Sequence, residues 1–293
     1  MVAIVRRLVT PLPIVERWLR TRSFDHSSFP AERIAVERDA TVSLCLLAGD
    51  LADLEPVVAT LERLIEHGVA DELLILGVDS SPPATGGAPV VPAATLKPEL
   101  GRVLGRGDAM WRALSVMTGD VVAFIDAELG GFGEHVACGL IGPVVCEPNV
   151  SYATGFARRE PTTGTVEAAD DGRVTELSAR PLVRRFWPEL TAFQEPLARE
   201  LAASRALLER LPFSTGFGVE AGLLLDAYGT VGLRNLAQVD LGVRRDARPS
   251  LAELGAKADE VTDVVARRLA HRGLAAEPGT LKIVERPPLG SAA

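Results

Sequence analysis

The apolar positions of the chain fall into two kinds of pattern. Short unbroken runs occur at Val42–Leu47 (VSLCLL), Glu72–Val78 (ELLILGV) and Val121–Ile125 (VVAFI). Runs of that length, without strict alternation, suit strands covered on both faces. Between them, apolar residues recur at helical spacing. Leu54, Val57, Val58, Leu61, Leu64 and Ile65 mark one helix, and Met110, Leu114 and Met117 mark another across Asp108–Met117. Strand, helix, strand, helix, strand over residues 42–126 is a parallel α/β pattern. Such a sheet takes its ligand at the carboxyl ends of its strands, which draws attention to Ala48–Asp50, Val78–Ser81 and Asp126–Glu128. Pro82–Ala94, rich in Pro, Gly and Ala, reads as a loop.

The second half is less regular. A strand is expected at Val150–Phe156, a polar loop at Glu160–Asp171, and helices at Val174–Phe186, Pro196–Leu211 and Ala221–Tyr228. A short strand follows at Leu236–Val243. Leu254, Val261, Val264, Val265 and Leu269 predict an amphipathic helix over Leu251–Leu269. Its apolar face packs on the chain's own core or on a second subunit, and periodicity does not choose between them. The Pro- and Gly-containing tail, Glu277–Ala293, reads as loose.

Composition narrows the function classes. A hydrophobic fraction of 47% over 293 residues supports a sizeable core and excludes disorder across the whole chain. A formal net charge of −8 argues against general nucleic-acid binding, but leaves room for a small anion held by a few arginines. Three cysteines, Cys45, Cys138 and Cys146, form no CxxC pair, so neither a disulfide framework nor a structural zinc site is expected. No secretory leader pattern and no apolar stretch near the ~20 residues that span a bilayer is visible. A soluble, cytoplasmic protein with no membrane partner is the expectation.

Asp126-Ala127-Glu128 directly follows an apolar strand. In extended chain, residues two apart project to one side, so two carboxylates would meet at a strand's carboxyl end. That placement suits a hard divalent cation, Mg²⁺ or Mn²⁺; an acidic strand terminator has the same appearance. Gly105-Arg106-Gly107-Asp108 precedes a helix. It is either a helix-entry turn or a place where backbone and guanidinium approach a phosphate. Gly216-Phe217-Gly218-Val219-Glu220 likewise enters a helix, and Glu220 is either a first-turn carboxylate facing the helix dipole or an active-site group. GxGxxG, Walker A, GxSxG and HExxH sequences are absent, and the four histidines are dispersed. Serine-hydrolase and zinc-hydrolase readings have no support.

Taken together, six segments resemble the glucosyl-3-phosphoglycerate synthases of actinobacteria, which are retaining glycosyltransferases with a GT-A fold. They are FDHSSFP (Phe24–Pro30), GRGDAMWRAL (Gly105–Leu114), TGDVVAFIDAE (Thr118–Glu128), GRVTELSARPL (Gly172–Leu182), LPFSTGFGVEAGLLLD (Leu211–Asp226) and AQVDLGVR (Ala237–Arg244). The resemblance implies a Rossmann-like nucleotide-sugar-binding sheet with a C-terminal acceptor region and a helical tail. Residues 1–38 would be a helical extension, 39–150 the donor region, 151–275 the acceptor region with a dimerising helix, and 276–293 a flexible tail. Asp126 and Glu128 would be the family's DxD, here DxE, holding Mg²⁺ or Mn²⁺ on the donor diphosphate. Arg106 stands where the family has lysine; with Asp126 and Ala127 it would face the donor. Gly172, Arg173 and Thr175 match the family's acceptor segment, and Glu220 its acidic residue near the acceptor hydroxyl.

Departures from the family pattern shape the expected specificity. The first strand ends in Leu46-Leu47-Ala48-Gly49-Asp50 and the second in Asp79-Ser80-Ser81-Pro82, leaving Asp50 and Ser81 as the nucleotide contacts. The family's HRN is replaced, with Asp246 in place of the histidine as a third oxygen ligand and Arg248 in place of the asparagine at the acceptor. The resulting expectation is a metal-dependent hexosyltransferase using UDP-glucose or another UDP-hexose such as UDP-GlcNAc. Its acceptor would be a small molecule altered for a specialised-metabolite pathway, and the protein a homodimer. The alternatives are a glucosyl-3-phosphoglycerate synthase proper, acting on 3-phosphoglycerate, a non-catalytic nucleotide-sugar-binding relative, and a nucleotidyltransferase.

Overall fold

A computed structural model describes residues 12–49, 53–78, 85–127, 131–159, 174–244, 251–273 and 284–289. Three apolar runs form the expected strands: β2 (Val42–Ala48), β3 (Glu72–Gly77) and β5 (Val121–Asp126). Along β2 and β5 successive side chains alternate between two cores. Leu44, Leu46, Ala123 and Ile125 face one; Cys45, Leu47, Val122 and Phe124 face the other. Both faces of the sheet are therefore covered, which explains why these strands are apolar in nearly continuous runs, with Ser43 and Asp126 near the ends of β2 and β5 as the polar positions. One layer is built by α3 (Glu55–Glu66) and α5 (Glu134–Cys146), the other by α4 (Arg106–Leu114) and α8 (Val219–Val231).

The sheet has eight strands in the order β1-β9-β6-β7-β5-β2-β3-β4. It includes β1 (Ser23–Asp25), β4 (Val90–Pro92), β6 (Tyr152–Arg159), β7 (Leu201–Ser204) and β9 (Leu236–Arg244). Only β7 runs against its neighbours: it is antiparallel to both β5 and β6, while every other pairing in the sheet is parallel. One sheet thus crosses the boundaries expected at 38 and 150. The N-terminal region, expected to be helical, holds α1 (Pro13–Thr21) and α2 (Ala31–Glu37) but also supplies edge strand β1.

Several expectations need correction. The sequence predicts one helix over Pro196–Leu211; the segment instead holds β7 and a short helix, α7 (Arg205–Leu208). Its Ala- and Leu-rich sequence favours helix locally, but β7 fills the slot between β5 and β6 and satisfies their inward-facing backbone groups. The Pro82–Ala94 loop contains β4, a parallel edge strand whose Pro92 costs no ladder bond at the sheet's rim. Within the tail, β10 (Glu285–Arg286) pairs antiparallel with β8 (Phe213–Ser214). The Val174–Phe186 helix is a π-helical turn, Thr175–Ala179, continued by α6 (Arg180–Phe186). In α9 (Leu251–His271) the apolar positions are buried within the chain: Val261 and Val264 lie with Val174 and Ala221, Val265 and Leu269 in the larger core. That face is already satisfied without a second subunit.

Candidate active site

The site forms at the carboxyl edge of the parallel strands. β5 ends at Asp126, and the reversed β7 begins at the same edge. Phe124 pairs with Leu201, so continuing the antiparallel register by two residues sets Asp126 opposite Arg199. The Arg199 guanidinium meets Asp126 Oδ2 at 2.5 Å. Arg106, at the first turn of α4, donates from Nη1 to the same oxygen at 2.9 Å. It also donates from Nε to Glu220 Oε1 at 3.0 Å and from Nη2 to the Arg199 carbonyl at 2.7 Å. Arg106 therefore ties the β5 carboxylate, the α8 carboxylate and the entry to β7 into one cluster. Asp126 and Glu220, though 94 positions apart in the sequence, share this one guanidinium.

Two glycine-rich turns make this geometry possible. Gly107 N–H donates to the Thr215 carbonyl at 2.9 Å, and a Cβ on Gly107 would lie against the Ser214 carbonyl and 2.9 Å from Val219 Cβ. No side chain fits between the turns, so α4 and α8 start in direct contact. Beneath them Asp108 is fully buried; it accepts from Arg286 Nε at 2.6 Å and Nη2 at 3.0 Å, and from Arg112 Nε at 3.3 Å. Arg112, also fully buried, donates to the carbonyls of Leu96, Lys97, Gly101 and Arg102. Burial pushes Asp108 toward its neutral form, but Arg286, the Leu104 N–H and Arg112 outweigh it, and its pKa falls below the usual carboxylate value. Glu220 goes the other way: burial raises its pKa, with Arg106 opposing.

Arg106, Thr175, Arg199, Glu220 and Lys257 line one open cleft, with Phe156 of β6. Thr175 reaches the cleft, but its hydroxyl donates to Glu195 Oε1 at 2.7 Å. Ala127 is buried and its N–H donates to the Leu47 carbonyl, so that N–H does not face a ligand. Asp50, Ser81, Glu128, Gly172, Arg173, Asp246 and Arg248 lie outside the described residues. Of the expected site residues, Arg106, Asp126, Thr175 and Glu220 are brought together. Arg199 is absent from the sequence expectation because its segment has helical character; the register of β7 against β5 is what sets it across from Asp126.

Of the three expected cation ligands, Asp126, Glu128 and Asp246, only Asp126 lies among the described residues. Asp126 is a strand-end carboxylate with oxygen chemistry suited to Mg²⁺ or Mn²⁺, and the other expected ligands are also carboxylates. Among the described residues no group of three acidic, His or Cys side chains is gathered around a common point. There the Asp126 charge is balanced by Arg106 and Arg199. The dispersed histidines are not all isolated: the His26 and His135 rings meet in a tilted contact, 4.8 Å between centroids, and burial, then His26, lowers the His135 pKa. Cys45 and Cys138 are buried and Cys146 half-buried; burial pushes the Cys138 thiol up to about 12. No described helix is long and apolar enough to cross a membrane.

Solved structures share this architecture. The mannosyl-3-phosphoglycerate synthase of Rubrobacter xylanophilus aligns with a TM-score of 0.86 at 34% identity, over 97% of this chain and 100% of that one. The glucosyl-3-phosphoglycerate synthase of Mycobacterium tuberculosis aligns at 0.80 and 32%, over 94% of this chain and 100% of that one. That enzyme was crystallised with Mn²⁺, UDP-glucose and phosphoglyceric acid, and also with Mg²⁺ and UDP. The fold and the carboxylate-bearing edge of its sheet thus define a glycosyltransferase of the GT-A type. In sequence, the chain is 37% identical over 253 residues to the glucosyl-3-phosphoglycerate synthase of Mycolicibacterium smegmatis, covering 84% of this chain and 83% of the relative. No family model matches. The chain belongs to the glucosyl-3-phosphoglycerate synthase family.

Proposed function

We propose that the protein transfers glucose from UDP-glucose to 3-phosphoglycerate with Mg²⁺ or Mn²⁺. The observation that carries this reading is the joining of Asp126 and Glu220 through Arg106 at the mouth of a cleft that Thr175 also lines. The relatives' names support 3-phosphoglycerate as acceptor; the specialised-metabolite acceptor expected from the altered loops has no such support. Asp126, with Glu128 and Asp246 as its expected companions, would hold the cation. When bound, the cation supplies charge neutralisation at the leaving diphosphate. Arg106 adds a guanidinium beside that position and fixes the orientation of Glu220. Glu220 is buried and its pKa raised, so it can hold or accept a proton beside the acceptor hydroxyl. Retention of anomeric configuration, a cytoplasmic location and a homodimer belong to the same reading.

The similarity to a mannosyl-3-phosphoglycerate synthase motivates a second donor, a nucleotide-activated mannose, for which GDP-mannose is the probe. The test is product formation with each donor, 3-phosphoglycerate, and Mg²⁺, Mn²⁺ or EDTA, for wild type and Asp126→Ala. The expected result is a glucosylated product with UDP-glucose and metal, lost in EDTA and in the variant. Product from GDP-mannose alone would shift the donor. No product from either donor, or full turnover by Asp126→Ala, would sink the proposal.

A further inference from the structure

The C-terminal residues have no part in the reaction just described, yet they reach both turns that carry the site. Arg286 stands before two prolines, Pro287 and Pro288, which bias it toward extended backbone. β10 is only two residues long, and a ladder that short does not hold by itself. Flanking groups complete the attachment. The Val284 carbonyl accepts from the Thr215 N–H at 3.1 Å, and the Pro287 carbonyl from Trp111 Nε1 at 2.8 Å. Glu285 Oε1 accepts from Ser214 Oγ at 3.0 Å and pairs with Arg268 of α9, which donates from Nη2 to Asp226 of α8 at 2.7 Å. Arg286 lays Nε and Nη2 on the two oxygens of Asp108.

These contacts converge on the turn that aims Arg106. Asp108 stands two residues after Arg106, and its Oδ2 accepts the N–H of Leu104, two residues before it, at 2.8 Å. The carboxylate thus closes a loop around Arg106, and the planar fork of Arg286 fixes the orientation of that carboxylate. From the other side the Thr215 carbonyl accepts from the N–H groups of Gly107 at 2.9 Å and Asp108 at 3.3 Å, while the Thr215 N–H is held by Val284. The Thr215 turn leads into α8 and Glu220. Arg106 must reach Glu220 at 3.0 Å and Asp126 at 2.9 Å together, which leaves little room for its turn to rotate. Arg112 also donates to Asp108 from Nε, so a cation stays beside that carboxylate when Arg286 is replaced.

We propose that Arg286 is a positioning residue for sugar transfer, and that the docked segment Val284–Pro287 clasps the two turns and sets the aim of Arg106 on Asp126 and Glu220. The proposal rests on the reading that this cluster is the catalytic centre. The experiment assays Arg286→Ala and Arg286→Lys, each alone and in an Arg106→Lys background, with UDP-glucose, 3-phosphoglycerate and Mn²⁺, at a temperature where circular dichroism shows folded protein. In the full chain kcat should fall at least tenfold in Arg286→Ala, the scale on which misplaced catalytic groups lose rate. Arg286→Lys keeps the charge without the fork and should lose less; its cycle decides the question if Arg286→Ala does not fold. In the Arg106→Lys background the same changes should cost less than threefold, because a residue acting through another is non-additive with it. A merely structural arginine would lower Tm and leave kcat within threefold, or lower kcat by one factor in both backgrounds; either result would overturn the proposal. Hydrogen exchange gives a readout independent of turnover. Amides of Leu104, Gly107, Asp108 and Thr215 should exchange faster in the Arg286 variants relative to those of β2, and unchanged exchange would overturn the clasp. A wild type that turns over no donor would sink the proposed function, and exchange at the two turns then decides the clasp alone.

Discussion

Gly107→Ala adds one methyl group at the point where the two site-bearing turns touch. The new Cβ would press on the Ser214 carbonyl oxygen and lie 2.9 Å from both the Ser214 carbonyl carbon and Val219 Cβ. Carbon atoms prefer separations of about 3.5–4.0 Å, so the turns must part by roughly an ångström. Both clashing partners are backbone or β-branched atoms, which cannot rotate away. Overpacking of this kind costs about 1–3 kcal/mol. In a chain of this size that corresponds to a fall in Tm of about 2–4 °C for each kcal/mol. The larger effect should be catalytic, because the displaced turn carries Arg106, whose bonds to Asp126 and Glu220 are 2.9 and 3.0 Å. A misplacement of about 1 Å in a catalytic arrangement can cost on the order of 100-fold. The assay compares kcat and thermal unfolding of Gly107→Ala with Gly229→Ala, whose added Cβ would meet nothing within 4 Å. The control makes the same chemical change in the interior of α8 and should be neutral or stabilising by about 0.5–1 kcal/mol. If Gly107→Ala keeps wild-type Tm, the close approach is wrong. If Tm falls while kcat stays within threefold, the turns do not control the site.

Two further outcomes follow from ion pairs elsewhere. Arg286→Ala removes two charged hydrogen bonds from buried Asp108 while Arg112 remains. Unfolding in urea should show a loss of about 1.5–3 kcal/mol; a loss below a few tenths would mean that the C-terminal segment does not hold α4 in solution. Asp71 has a pKa lowered first by its hydrogen bond from Arg38, against some burial, and it also accepts from the Val42 N–H at 2.7 Å. A carboxyl depressed in the folded state contributes stability that is present above its ordinary value of 3.8 and lost as pH falls through the folded value. Asp71→Asn should therefore melt below wild type near neutrality, and the gap should close as pH drops below 3.8. A constant gap across that range would contradict the assignment.

Much of the donor half is legible in the chain itself. The runs at Val42, Glu72 and Val121 become strands because buried parallel strands need apolar residues on both faces, a requirement written locally. Asp126 at the end of β5, and Arg106 and Glu220 at the first turns of their helices, are likewise marked by their position beside apolar or glycine-rich sequence. The resemblance to one glycosyltransferase family rested on such segments taken in order.

Other features depend on partners far away in the sequence. Leu201–Ser204 has helical sequence character but is held as a strand by ladders to β5 and β6, whose pairs Val121↔Ser204 and Thr154↔Leu201 join residues 83 and 47 positions apart. No local pattern records those bonds, and with them went Arg199. Asp108 and Arg112 look like ordinary helix-surface charges; both are fully buried, Arg112 on the carbonyls of Leu96, Lys97, Gly101 and Arg102, and Asp108 beneath Arg286, 178 residues away in the sequence. Local periodicity determined which segments are helix or strand where burial agrees with propensity. Tertiary pairing decided the reversed strand, the docked C-terminal segment and the charge balance around Asp126, because hydrogen-bond completion and ion pairing act between surfaces that only the fold brings together.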